Sequence, residues 1–210
     1  SEAYGADMGS RLRGSRLPIK TYWFVQGFKD AYTGAEPVIS PNVAAMHMQT
    51  YFMVKRPAEN KKASEEWLAS IEKQSGVQKT ESGLLYRIDR EGDSAIKPKA
   101  TDKVEVNYEG KFMDGQVFDS SYERGASTEF PLNGVIKGWT EGLQLIGKGG
   151  QITLWIPSDL AYGTYGSGMI GPNEALEFKV ELLDVKVGNE PAKTEAPAAE
   201  AEKPAEEQSK

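Results

Sequence analysis

VNYEGKFMDGQVFDSS, residues 106–121, is the stretch whose reading decides the fold. Val104, Val106 and Tyr108 alternate with polar residues, the period-two pattern of a strand with one buried face. The same alternation recurs at Leu84, Tyr86 and Ile88, at Ile152, Leu154 and Ile156, and at Leu176, Phe178, Val180 and Leu182. Gly and Pro cluster between the runs, as turns require. A single helical stretch interrupts them, in which Val135, Ile136, Trp139, Leu143 and Ile146 keep one face apolar. Several antiparallel strands with one short helix predict an α+β domain, the helix packed on the concave face of a curved sheet.

Upstream the period is helical, and the change falls at Gly76. Between Lys20 and Tyr32, the residues Trp23, Phe24, Phe28, Ala31 and Tyr32 fall at three- and four-residue steps and form one apolar face. Thr33-Gly34 is a stop signal. Ser40-Pro41 then supplies an N-cap followed by proline at the first helical position. From Asn42 to Gln74 one unbroken helix would span about 50 Å. Pro57 allows instead a kink or two consecutive helices, because proline removes a backbone hydrogen bond. Residues 59–66 are polar around most of the helix, which predicts an exposed strut between two bodies. The expected organisation is a helical domain with a connecting helix over residues 1–75, the strand-rich domain over 76–187 and a tail over 188–210. The tail is built of Ala, Pro, Glu and Lys and is expected to be disordered and acidic.

Composition narrows the function classes. A net charge of −6 without a basic stripe argues against nucleic acid as a partner. No cysteine is present, which excludes disulfides, thiolate metal sites and cysteine nucleophiles. The one histidine, His47, lies on a predicted helix away from any carboxylate cluster and reads as structural or exposed. No apolar run approaches the roughly 18 residues of a membrane-spanning helix. Ser1 in place of an initiator Met fits either a removed signal peptide or a trimmed chain.

On residues alone, Tyr108, Phe118, Trp139, Tyr162 and Phe178 come from different segments, as a converging aromatic pocket needs. Taken singly, each reads as readily as a core aromatic. Asp119, following Phe118 near that core, calls for partners such as a tyrosine hydroxyl or Arg124.

VNYEGKFMDGQVFDSS, VIKGWTEGL (135–143), IPSDLAYG (156–163) and FKVELLDV (178–185) resemble, in order and spacing, the signature segments of FKBP-type peptidyl-prolyl isomerases. YGADMG, FVQGFKDAYTG and the junction ENKKASEEWLASIEKQSGVQKTESGLLYRI are similar to the N-terminal domain of Mip-like and FkpA-like bacterial members. The resemblance implies a homodimer formed by the N-terminal helices, with a long helix separating two catalytic domains. It implies Trp139 as the pocket floor, with Tyr108, Phe118, Val135, Ile136 and Phe178 gripping a proline ring. Asp119 is implied as a buried carboxylate held by Tyr108 and Arg124. Tyr162 and the backbone near Ile170 are implied as the rim that bonds substrate carbonyls. Departures are Thr128, where many members carry an aromatic, a shorter loop before Val135, and Ser167 in place of a histidine found in some.

The implied activity is cis/trans isomerisation of Xaa-Pro bonds in unfolded or nascent polypeptides, with chaperone action as a dimer. Macrolides such as FK506 and rapamycin are implied as inhibitors, and neither metal nor cofactor is expected. The competing readings are a peptide-binding module on the same fold and a holdase with incidental isomerase activity. The resemblance places the protein in the periplasm or at the outer membrane, with the cytoplasm as the alternative.

Overall fold

A computed structural model describes residues 1–188, and the chain divides into two units, the first ending at Arg56 and the second starting at Pro57. The tail expected over 188–210 lies, apart from Gly188, outside the described residues.

The first unit is helical. It contains α1 (Glu2–Gly14), α2 (Thr21–Thr33) and α3 (Pro41–Thr50). α2 stops where Gly34 turns left-handed at φ +73°, and the Ser40 hydroxyl caps α3 by accepting from the Val43 N–H at 3.5 Å. The apolar face read on α2 is present but uncovered: no residue of α1, α2 or α3 is buried, and Trp23 is 67% exposed. His47 is exposed on α3. After α3 the turns widen into a π-helical stretch, Tyr51–Lys55, in which the Arg56 N–H bonds to the Tyr51 carbonyl. The disturbance read at Pro57 therefore takes the form of widened turns just before the proline, which has no N–H to give the preceding turn.

All but the first residue of α4 (Arg56–Glu72) belongs to the second unit, which continues with seven strands. These are β1 (Gln78–Lys79), β2 (Leu85–Arg90), β3 (Lys103–Lys111), β4 (Val117–Ser120), β5 (Thr128–Pro131), β6 (Gln151–Ile156) and β7 (Leu176–Lys186). All pair antiparallel, in the order β1-β2-β6-β7-β3-β4, with β5 also on β3. Register shifts at Ile88/Arg90, Glu105/Val106 and Gly110/Lys111 mark bulges, which bend strands and let a sheet curve. The alternation holds along β3, where Val104, Val106 and Tyr108 are buried.

Two short helices complete the unit, α5 (Ser121–Arg124) and α6 (Lys137–Leu143). α6 is shorter than its apolar pattern, since Val135 and Ile136 precede it and Ile146 follows. Trp139 and Leu143 of α6 join the core made by Val106, Leu154 and Val180. Gly138 and Gly142 permit this closeness: a Cβ on either would lie 2.5 Å from the Ile156 or Leu154 side chain.

Most of residues 59–66, expected as an exposed strut, are exposed, and the helix that carries them also packs on the strand-rich domain. α4 lies on its own domain, with Ile71 packed against Leu85 and Trp155 and with Trp67, Leu68 and Val77 around them. Every residue from Ile152 to Ile156 is buried, so β6 is covered on both faces. Ser64, within the polar stretch, is itself buried. Hydropathy misses this contact because its polar part is made by hydrogen bonds.

Candidate functional site

Five separate segments meet over α6. β3 supplies Tyr108, β4 supplies Phe118 and Asp119, and β7 supplies Phe178. The turn into α6 brings Val135 and Ile136, α6 itself brings Trp139, and the β6–β7 connection brings Tyr162. These eight residues line one cavity enclosing about 50 Å³. By the measure in which one water needs roughly 10–15 Å³, that is space for about three to five water-sized groups, enough for the three methylenes of a proline ring.

The walls fix one another. Trp139, 4% exposed, meets Tyr108 edge-to-face at 5.0 Å between centroids and Phe178 at 5.2 Å. Phe118 and Phe178 cross at 5.5 Å and 90°. Such pairs each add about 0.5–1.5 kcal/mol beyond their area burial, so the cavity is preformed. The Trp139 indole N–H is buried without a hydrogen-bond partner among the described residues.

The cavity has one polar corner. The Tyr108 hydroxyl donates to Asp119 Oδ2 at 2.6 Å and accepts from Arg124 Nη2 at 2.9 Å. Arg124 Nη1 bonds Asp119 Oδ1, and the guanidinium lies over the Tyr108 ring at 5.4 Å. α5 aims this arginine. The Ser120 hydroxyl caps the helix by accepting from the Glu123 N–H at 3.3 Å, and Gly125 ends it in the left-handed conformation. Burial, reinforced by the bond to Asp119, pushes the Tyr108 hydroxyl up to about 12, with Arg124 opposing. Burial and then the charge of Asp119 likewise raise the Tyr162 hydroxyl. Both phenols are therefore protonated donors at neutral pH.

Of the ten residues singled out from the sequence, eight line the cavity and two do not. Arg124 stands behind Asp119, with its side chain 47% exposed. Ile170 belongs to the core cluster, and its N–H donates to the Ser167 carbonyl at 2.9 Å, so a substrate carbonyl would compete with that bond. Asp119, implied as a buried carboxylate, keeps 33% of its side chain exposed at the open side of the corner. Thr128, at the expected aromatic position, receives an Arg124 Nη2 contact at 3.4 Å instead.

Sequence reading missed three residues. Phe130 of β5 meets Trp139 edge-to-face at 5.8 Å and Tyr108 at 6.2 Å, and its two-residue spacing from Thr128 placed it on the same strand face. Phe112 is buried against Phe118 at 4.8 Å. The fully buried Ser121 accepts from the Tyr108 N–H at 2.8 Å, locking β3 to α5 beneath Asp119, and no sequence pattern signals it.

With this geometry in hand, the chain can be set beside known proteins. The family model described as FKBP-type peptidyl-prolyl cis-trans isomerase matches residues 94–183, and the domain amino-terminal to such isomerases matches residues 1–88. An FKBP-type peptidyl-prolyl cis-trans isomerase FkpA of Aeromonas hydrophila is 51% identical over 132 residues, 63% of this chain. The match spans 49% of that relative's length, about half. A probable FkpA of Neisseria meningitidis is 39% identical over 93% of this chain and 77% of that protein. Among solved structures, the crystal structure of FkpA from Escherichia coli superposes with a TM-score of 0.63 at 36% identity, covering 89% of this chain and 94% of that one.

Proposed function

The chain belongs to the FKBP-type peptidyl-prolyl cis-trans isomerases, and we propose that it accelerates rotation about Xaa-Pro bonds in unfolded polypeptides, using the cavity over Trp139. The observation that carries this reading is the preformed aromatic cavity of proline-ring size with a tethered carboxylate at its lip.

Rotation breaks no covalent bond. The obstacle is amide resonance, a barrier of about 18–20 kcal/mol that makes the uncatalysed step take roughly 10–100 s. In the twisted transition state the nitrogen lone pair is localised and the carbonyl is less polar. A dry aromatic wall around the proline disfavours the planar, more polar ground state relative to that geometry. Trp139, Phe118, Tyr108 and Phe178 would hold the ring, while Val135 and Ile136 close its side. The Tyr162 hydroxyl would donate to a carbonyl of the rotating segment, and the Ile170 N–H would join it only by exchanging its bond to the Ser167 carbonyl. Asp119, held by Tyr108 and Arg124, would keep that rim in order. Catalysis then comes from binding the twisted form better than either planar form.

We further propose that the chain works as a homodimer through its first unit, whose Trp23, Phe28 and Tyr32 are exposed. Paired sites would raise the effective concentration for a second contact with one unfolded client. FK506-type macrolides would compete for the cavity. Residence in the periplasm or at the outer membrane rests on the resemblance to FkpA and Mip proteins.

The test is a protease-free isomerase assay on short Xaa-Pro peptides with wild type, Trp139→Ala and Phe118→Ala, each checked for folding. Acceleration by wild type and its loss in the folded variants supports the reading. A wild type that binds proline peptides but accelerates none would leave a peptide-binding module in its place.

A further inference from the structure

The connection between β6 and β7, residues 157–175, carries Tyr162 to the cavity, and its far end is fastened to α4. Ser64, 5% exposed, donates its hydroxyl to the Asn173 carbonyl at 2.8 Å and accepts from the Ala175 N–H at 2.9 Å. The single hydroxyl proton and one lone pair are thus both given to this connection. Asn60 Nδ2 donates to the Pro172 carbonyl at 2.8 Å, and Asn173 Nδ2 donates to the Pro57 carbonyl at 3.1 Å. Positions 57, 60 and 64 follow one another at three- and four-residue steps, which places them on one helix face.

Asn173 is held in a left-handed backbone conformation at φ +56°, one that persists in non-glycine residues when the surroundings over-determine it. Its own N–H donates to the Gly163 carbonyl at 2.9 Å. Gly163 follows Tyr162 in the chain. A continuous set of bonds therefore runs from the Ser64 hydroxyl through Asn173 to Gly163 and the tyrosine at the lip. α4 is a firm base for it, because Ile71 packs on Leu85 and Trp155 behind the sheet.

We infer that Asn60 and Ser64 are positioning residues for the site: the helix they share holds Tyr162 at the cavity lip through Asn173 and Gly163. The inference rests on the isomerase reading of that cavity. A rim that bonds a rotating carbonyl is effective only when held to within about 0.5 Å, and a helix-anchored loop meets that need better than a free one. Neither residue touches the cavity, so their effect passes through the loop.

The experiment compares the full chain with Ser64→Ala, with Asn60→Ala, which opens no buried hole at a half-buried position, with Ser64→Thr, which keeps the hydroxyl, and with Lys62→Ala on the exposed side of α4 as control. Two readouts are taken: kcat and KM on a short Xaa-Pro peptide, and the NMR resonances of Tyr162 and Gly163 without substrate. Ser64→Ala is expected to lower kcat/KM about tenfold, mainly through kcat, equivalent to about 1.4 kcal/mol of transition-state stabilisation. Asn60→Ala should act in the same direction, Ser64→Thr should recover activity, and Tyr162 and Gly163 should shift in the alanine variants alone. Folded alanine variants whose Tyr162 and Gly163 resonances stay in place overturn the inference, and so do shifted resonances with unchanged kcat. If wild type itself proves inactive, the isomerase reading fails separately, and the resonances of the free protein still decide whether α4 positions Tyr162.

Discussion

The Tyr108 hydroxyl donates to Asp119 Oδ2 across 2.6 Å while accepting from Arg124 Nη2 at 2.9 Å. The phenol must keep its proton for this arrangement, because its anion would face the carboxylate with no proton between them. Burial, with Asp119 reinforcing it, raises Tyr108 to about 12 from the ordinary value of 10.0.

The sign of the linked stability follows. Between pH 10 and 12 the unfolded chain loses this proton while the folded chain keeps it, so stability falls as pH rises through that window. The Tyr108 contribution is fully present below pH 10 and amounts to about 3 kcal/mol at most, at about 1.4 kcal/mol per unit. Tyr108→Phe lacks this component. Urea unfolding of both proteins at pH 9 and pH 11.5 should give a steeper alkaline loss for wild type, and parallel losses would refute the assignment.

Asp119→Leu tests whether the carboxylate orders the rim. Hydrogen bonds to charged groups contribute about 1.5–3 kcal/mol each. Losing the ordering equivalent of one such bond lowers kcat/KM by roughly 10- to 100-fold. The pair itself is partly exposed, with Arg124 at 47% and Asp119 at 33%, so its direct part in stability is small. Activity should therefore fall by more than the melting temperature suggests. A folded variant with full activity would show that the corner is dispensable.

Trp139 separates shape from polarity. Truncation to alanine should cost about 3–5 kcal/mol, since the side chain is 4% exposed and touches three aromatic rings. Trp139→Phe also removes the buried indole N–H, which has no partner among the described residues. Relieving such a group returns about 1–3 kcal/mol, which offsets much of the lost packing. The phenylalanine variant should unfold within about 1.5 kcal/mol of wild type in urea titration, and a cost equal to that of alanine would mean that the N–H has a partner in solution.

Legibility in the sequence followed the physics of each element. Strands with one buried face, such as β3 with Val104, Val106 and Tyr108, show in the pattern because their outward residues stay polar. β6 is buried on both faces by Trp155 meeting Ile71 of α4, and alternation cannot say what covers a second face. Asn60 and Ser64 read as a solvated helix face, since hydropathy counts them as polar whether they bond water or the Pro172 and Asn173 carbonyls. The cavity walls came through the family motifs rather than through periodicity, because each aromatic alone is equally a core residue. The family resemblance implies the Ile170 backbone as part of the rim. Its pairing with Ser167 is a backbone event that no side-chain pattern encodes.

The uncovered face of α2 supports the last prediction. Trp23 is 67% exposed, Phe28 49% and Tyr32 83%, with Phe28 and Tyr32 stacked at 6.0 Å. Burying one such side chain fully is worth about 1.5–3 kcal/mol, so several of them would support the proposed dimer. An aspartate at the centre of that face must either be desolvated or keep the face open. Phe28→Asp should therefore halve the mass seen by sedimentation equilibrium, while kcat/KM on a short peptide stays within about twofold, because the cavity lies wholly in the second unit. Suppression of aggregation of a proline-free client should weaken in the same variant, as paired sites lose their effective concentration. A Phe28→Asp protein that remains dimeric would place the association on another surface, and full aggregation suppression by a monomer would separate chaperone action from pairing.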